Sequence, residues 1–132
     1  MIKNFSTKRH ATFKDCDSAG IIFFNKVFEY THDNLEDLNR KLGTWEIWFN
    51  SPEYAAPIVS CSSEFKSPIK LGQEILINVS DYKVGSKSIA FDFSITDSKA
   101  HVFALVSTTH VFLSKKTGKP CEIPPEIKSK LN

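Results

Sequence analysis

Lys87-Ser88-Ile89-Ala90-Phe91-Asp92-Phe93-Ser94-Ile95-Thr96-Asp97 alternates along its whole length. Ile89, Phe91, Phe93 and Ile95 fall on one side, and Ser88, Ala90, Asp92, Ser94 and Thr96 on the other. A period of two over this length is the signature of a strand with one buried face. The same reading extends to Ile58–Lys66, Gln73–Val84 and Ala100–Ser114, bounded by Lys70-Leu71-Gly72, Gly85-Ser86 and Asp97-Ser98-Lys99. Those connections are short enough for hairpins, so four consecutive strands in an antiparallel meander are expected.

Upstream of Pro57 the period changes. Phe24, Val27, Phe28, Thr31, Leu35, Leu38 and Leu42 recur at spacings of three and four, while Lys26, Glu29, Asp33, Glu36, Asp37 and Arg40 fill the other side. This predicts one long amphipathic helix of roughly five turns, stopped at Gly43. A short helical piece at Trp45–Phe49 follows, closed by Ser51-Pro52. Before the helix, Phe5 to Phe13 alternates as a first strand with a mixed face, and Asp15 to Gly20 breaks it. The tail, Lys115 to Gly118 and then Pro120 to Pro125, reads as a turn and an edge cap. One strand, one long helix and four strands make an α+β fold, a five-stranded antiparallel sheet curled around the helix. At 132 residues the chain fits a single domain, residues 1–132.

Composition narrows the function. The chain has 41% hydrophobic and 24% charged residues, and its eleven phenylalanines imply a bulky core, a large subunit interface, or both. Net charge is +2 with acids and bases interleaved, and the lack of any basic run argues against a nucleic-acid partner. Cys16, Cys61 and Cys121 are odd in number and widely spaced, as reduced thiols in a cytoplasmic protein would be. The N-terminus lacks a signal-peptide stretch, and the longest apolar run is too short to span a membrane.

The chemically loaded stretch is Asp15-Cys16-Asp17-Ser18-Ala19-Gly20-Ile21-Ile22-Phe23-Phe24-Asn25. Four readings compete. It is a solvated turn whose acids favour a helix dipole. Or Cys16 is a nucleophile, which two flanking carboxylates oppose by pushing the thiol pKa up. Or Asp-x-Asp holds a metal, although a hard cation wants more oxygens and His10, His32, His101 and His110 have no zinc-type spacing. Or the stretch transfers an acyl group to water: a carboxylate attacks or activates water, and the free amides opening the helix stabilise the oxyanion.

This stretch closely resembles the active-site motif of the 4-hydroxybenzoyl-CoA thioesterase family, roughly D-x-D-x-x-G-[IV]-[IV]-[YFW]. Pro57-Ile58-Val59-Ser60-Cys61-Ser62-Ser63-Glu64-Phe65 resembles that family's first strand after the helix. The resemblance implies a hotdog fold and an enzyme, an acyl-CoA thioesterase releasing CoA and a carboxylic acid. No metal and no cofactor are implied. The Phe-Phe-Asn version resembles the branch acting on 1,4-dihydroxy-2-naphthoyl-CoA, so an aromatic acyl group, that one or 4-hydroxybenzoyl, is expected. By position, Asp17 becomes the nucleophile or general base, Gly20 the residue allowing the close turn, and the Phe24 backbone N–H the oxyanion donor. Ser60 and His32 fall on the substrate side, with His32 near a ring hydroxyl. Lys83 and Lys87 are the candidates for the CoA phosphates, ahead of Lys66 and Lys70. The family works as homodimers or homotetramers. The alternative is a non-catalytic hotdog sensor or carrier of acyl-CoA.

Overall fold

The computed structural model describes residues 2–131; Met1 and Asn132, the ends of the expected domain 1–132, lie outside the described residues. The strands are β1 (Ser6–His10), β2 (Tyr54–Ala55), β3 (Ile58–Phe65), β4 (Glu74–Val84), β5 (Ser88–Thr96), β6 (Val102–Val111) and β7 (Leu113–Ser114). The helices are α1 (Lys26–Leu42), α2 (Trp45–Phe49) and α3 (Pro125–Leu131), with a single 3-10 turn at Phe13–Asp15.

Five strands form an antiparallel sheet in the order β1-β4-β5-β6-β3, and α1 packs against β1, β4 and β6. The alternation of β5 is realised in full: Ile89, Phe91, Phe93 and Ile95 are buried beside Ile75, Ile77 and Val79 of β4. Bulges at Val79/Asp81 and Ile95/Thr96 add local twist, which helps a sheet bend around a helix.

The expected order fails at one strand. β3 does not pair with β4, its successor in sequence, but with β6 at the far edge, from Ile58↔His110 to Phe65↔Ala104. Only β4, β5 and β6 form the meander. The segment from Lys66 to Gln73 carries the chain across the sheet to β4, and on its way Ile22 N–H bonds to the Ile69 carbonyl and Leu71 N–H to the Gly20 carbonyl. A strand's period sets which face is buried and says nothing about its neighbour.

Other expectations shift too. The last strand, expected over Ala100–Ser114, runs from Val102 to Val111, with Leu113–Ser114 as the separate β7. β1 ends at His10 because Thr12 turns the chain, its N–H and hydroxyl bonding to the Asp15 carboxylate at 3.4 and 3.0 Å. Helix α1 starts at Lys26, so Phe24 lies before it, 73% exposed. It stops at Gly43, whose φ of +75° suits glycine alone without strain. The tail contains α3, opened by Pro125 and buried through Ile127 and Leu131 one turn apart. β2 and β7 make a small second ribbon.

The buried side of α1 is broader than its apolar residues suggest. Val27, Thr31, Leu35 and Leu38 are buried, and so are Tyr30, Asn34 and Asn39. Asn34 donates to the Ile77 carbonyl and the Thr7 hydroxyl, both at 2.9 Å, tying helix to sheet.

Candidate active site

Asp17 opens a tight turn. Its N–H bonds to the Ile21 carbonyl at 2.8 Å, and its carbonyl accepts from Gly20 N–H at 3.0 Å. Gly20 has φ +75°, the left-handed conformation in which glycine lacks the Cβ penalty. The carboxylate folds back on the same turn, Oδ1 accepting from the N–H groups of Ala19 (2.9 Å) and Ile21 (3.2 Å). This self-bonding is what makes Asp a turn former. It fixes the side chain while Oδ2 has no hydrogen-bond partner among the described residues, and Asp17 is exposed.

The strand-like return Ile21–Phe23 leads to the helix. Cys16 bridges to Ile22 and Ile21 to Lys70, and Phe23 N–H bonds to the Asp15 carbonyl at 2.9 Å. The next amide, that of Phe24, bonds to no group among the described residues and lies directly before Asn25, the N-cap of α1. The Phe24 ring helps to wall a cleft of about 400 Å³, with Ile21, Ile22, Phe65 and Ile69 as its other apolar sides. Lys66 at its rim is held by Glu64 at 2.7 Å.

Asp15, the other carboxylate of the motif, is turned inward and 1% exposed. Its Oδ2 accepts from the Tyr30 hydroxyl at 2.8 Å, the Thr12 hydroxyl at 3.0 Å and Arg9 Nη2 at 3.5 Å. Its Oδ1 accepts from Lys14 Nζ at 3.2 Å, with Lys26 Nζ at 3.9 Å. Burial pushes this carboxyl up, but the bonds from Tyr30, Thr12 and Lys14 outweigh it and hold the pKa at about 2. Burial and the bond to Asp15 push the Tyr30 phenol well above its ordinary range. Burial also raises the Cys16 thiol, and Asp15 and Asp17 add to it, against a reactive thiolate. The Asp15–Tyr30 contact escaped the sequence reading. Its signal was present: Tyr30 continues the stripe of Val27, Thr31 and Leu35 and puts a hydroxyl on the helix's buried side.

Of the expected site residues, Phe24 and the weaker candidate Lys66 line this cleft; Asp17 and Gly20 stand on the turn that leads to it without walling it, and His32, Ser60, Lys83 and Lys87 lie away from it within one chain. His32 lines a narrow crevice with Thr31, Leu35, Ile58, Phe93, Thr108 and His110, at the opposite end of β3 from Phe65. Ser60 is exposed on β3. Lys83 and Lys87 are exposed around the hairpin joining β4 to β5, also at the Ile58 end of the sheet. Among the described residues no three His, Cys, Asp or Glu side chains cluster as a metal would require. Nor, among the described residues, is any helix long and apolar enough to cross a membrane.

A carboxylate with a free oxygen and, further along the same loop, an unpaired amide just before the helix, its residue walling an apolar cleft, suit attack on a carbonyl whose oxygen gains charge. On a sheet of this order wrapped on one helix, they define a thioesterase of the hotdog class. The chain belongs to the thioesterase-like superfamily, whose family model matches residues 11–131. It is 29% identical over 125 residues to a 1,4-dihydroxy-2-naphthoyl-CoA hydrolase of Nostoc punctiforme, covering 94% of this chain and 84% of that one. In structure it is similar to a 1,4-dihydroxy-2-naphthoyl-CoA thioesterase from Synechocystis (TM-score 0.88, 21% identity, covering 97% and 95% of the two chains). It is also similar to a gentisyl-coenzyme A thioesterase (TM-score 0.85, 20% identity, covering 96% and 99%).

Proposed function

We propose that this chain hydrolyses acyl-CoA thioesters to CoA and a carboxylic acid, with an aromatic acyl group such as 1,4-dihydroxy-2-naphthoyl or 4-hydroxybenzoyl as substrate. The observation that carries this reading is the free Oδ2 of Asp17 at one end of the turn and the unpaired Phe24 amide at the other. Asp17 attacks the thioester carbonyl or takes a proton from the water that does. Either route puts negative charge on the carbonyl oxygen, which the Phe24 N–H stabilises, and expels a thiolate; on the route of direct attack, water then cleaves the mixed anhydride left on Asp17 to release the acid. Thiols have pKa values of about 8.5, so the leaving group departs without a strong acid. The apolar, Phe-lined cleft favours an aromatic ring.

The assembly that completes this site is a homodimer, or a homotetramer made of two. β3 is an edge strand, exposed at all but one of its eight positions, with Ile58, Val59 and Phe65 open to solvent. Such an edge invites pairing. Antiparallel pairing of two β3 strands about their middle sets Ile58 of one copy beside Phe65 of the other. His32 and Ser60 then approach the partner's Asp17 cleft from the acyl side, and Lys83 and Lys87 lie at the same end to meet the CoA phosphates. Three free cysteines suit a cytoplasmic protein, and residues 1–132 act as one hotdog unit.

The test is CoA release from aromatic, short-chain and long-chain acyl-CoAs, comparing the native chain with Asp17→Asn. The expected result is one preferred aromatic substrate and a kcat loss of a few hundred-fold, about 3–4 kcal/mol of transition-state stabilisation. Acyl-CoA binding without turnover by the native chain would overturn the reading and leave a sensor or carrier in its place.

A further inference from the structure

Asp17 reaches the helix only through its neighbours. The loop that carries it leaves the 3-10 turn at Asp15 and returns at Phe23, and the Asp15 carbonyl closes the loop on Phe23 N–H at 2.9 Å. Asp17 lies two residues beyond one side of this closure, and the Phe24 amide one residue beyond the other. Two ties hold the closure to α1: the Lys26 N–H, which bonds to the Phe23 carbonyl at 3.0 Å, and the Asp15 side chain. Tyr30, on the buried side of the helix, donates to it at 2.8 Å, the shortest of its contacts, while Thr12, Lys14 and Arg9 hold it from the strand side. Arg9 is fixed in turn, its guanidinium 4.1 Å from the Tyr30 ring centre and bonded to Asp33 at 3.2 Å.

We propose that Asp15 and Tyr30 are a pair of positioning residues that set the Asp17 carboxylate and the Phe24 amide in register with each other and with helix α1. This rests on the hydrolase reading above. Neither side chain faces the cleft, since Asp15 and Tyr30 are each 1% exposed and neither lines it. They act through the main chain, by fixing the base of the loop. The negative charge of Asp15 is part of the device: one carboxylate accepts from donors on both sides of the loop at once, which a neutral amide cannot do with both its atoms. Removing the Tyr30 hydroxyl deletes one oxygen and leaves the ring in the core, so the fold survives while Asp15 loses its shortest bond to α1 and keeps only the 3.9 Å contact with Lys26 on that side.

The measurement is steady-state CoA release on the substrate the native chain prefers, with kcat normalised to the folded fraction, for Tyr30→Phe and Asp15→Asn. Tyr30→Phe is expected to lower kcat about tenfold or more with KM changed less than about twofold, because displacement of reacting groups by a fraction of an ångström costs rate rather than binding. Asp15→Asn is expected to fall at least as far. A purely structural role predicts the same fractional loss whatever stands at position 17, so the decisive comparison is the double variant Tyr30→Phe/Asp17→Asn. If Tyr30 acts through Asp17, its substitution costs little once Asp17 is gone. Native-like kcat in Tyr30→Phe, or an equal loss in both backgrounds, overturns the positioning role and leaves the hydrolase reading standing. A native chain that turns over no acyl-CoA brings down the hydrolase reading itself.

Discussion

His110 lies in the core, 1% exposed, edge-on to Trp48 and Phe91 with ring centres 5.5 and 5.9 Å away. Its Nδ1 is 3.2 Å from the Ala56 carbonyl, which only accepts, so Nδ1 carries the proton and Nε2 faces the Thr108 hydroxyl at 3.5 Å. Burial lowers its pKa from the ordinary 6.5 to about 4; the bond to Ala56 opposes this, and the nearby His32 ring adds to the lowering. Between those values the unfolded chain binds a proton that the folded chain refuses. His110 therefore stabilises the fold above about pH 6.5, and that stability drains away as pH falls towards 4. Denaturant unfolding across this window is expected to show a slope shallower by up to about one proton in His110→Gln than in the native chain. Asp15 acts below it: its folded pKa of about 2 lies under the ordinary 3.8, so its contribution is present above 3.8 and lost as pH falls through 2.

The Asp17–Ile21 turn and the end of α1 offer a matched comparison. Gly20 and Gly43 both have φ +75°, and a Cβ at either would meet nothing within 4 Å. Alanine at each is expected to cost about 1–2 kcal/mol of stability, from backbone strain alone. Thermal melts should show similar shifts for Gly20→Ala and Gly43→Ala, while CoA release drops in Gly20→Ala only. How far such elements were readable from sequence differs case by case. The alternation of β5 and the stop at Gly43 are local facts written in adjacent residues. Asp17, Gly20 and Phe24 could be proposed as site residues because the family motif they resemble is one contiguous stretch. The place of β3 was hidden, since its partner Ile58↔His110 is chosen by the way the sheet wraps the helix. Helix α3 was masked by the prolines before it. Asp15 looked like a solvated acid because the residues that bury it, Tyr30 and Arg9, come from two other elements.

Residues on the Ile58 end of the sheet and those around Asp17 are separated within one copy, and β3 pairing is what would unite them. Val59, 58% exposed on that edge, is the place to test this. Light scattering on the native chain is expected to give a dimer or tetramer, and Val59→Asp, which sets like charges across the pairing, is expected to give monomers with little CoA release. A native monomer with full turnover would show that a single copy suffices. The strand order carries a further consequence, for the route by which the chain reaches its fold. β4, β5 and β6 are joined by short turns and can zip together early. β1 must wait for β4, with Ser6 finding Asn78, and β3 must wait for β6, with Ile58 finding His110. Closing loops of that size slows folding. The two outer strands are therefore expected to dock late, so that the open β3 edge is completed among the last parts of the sheet.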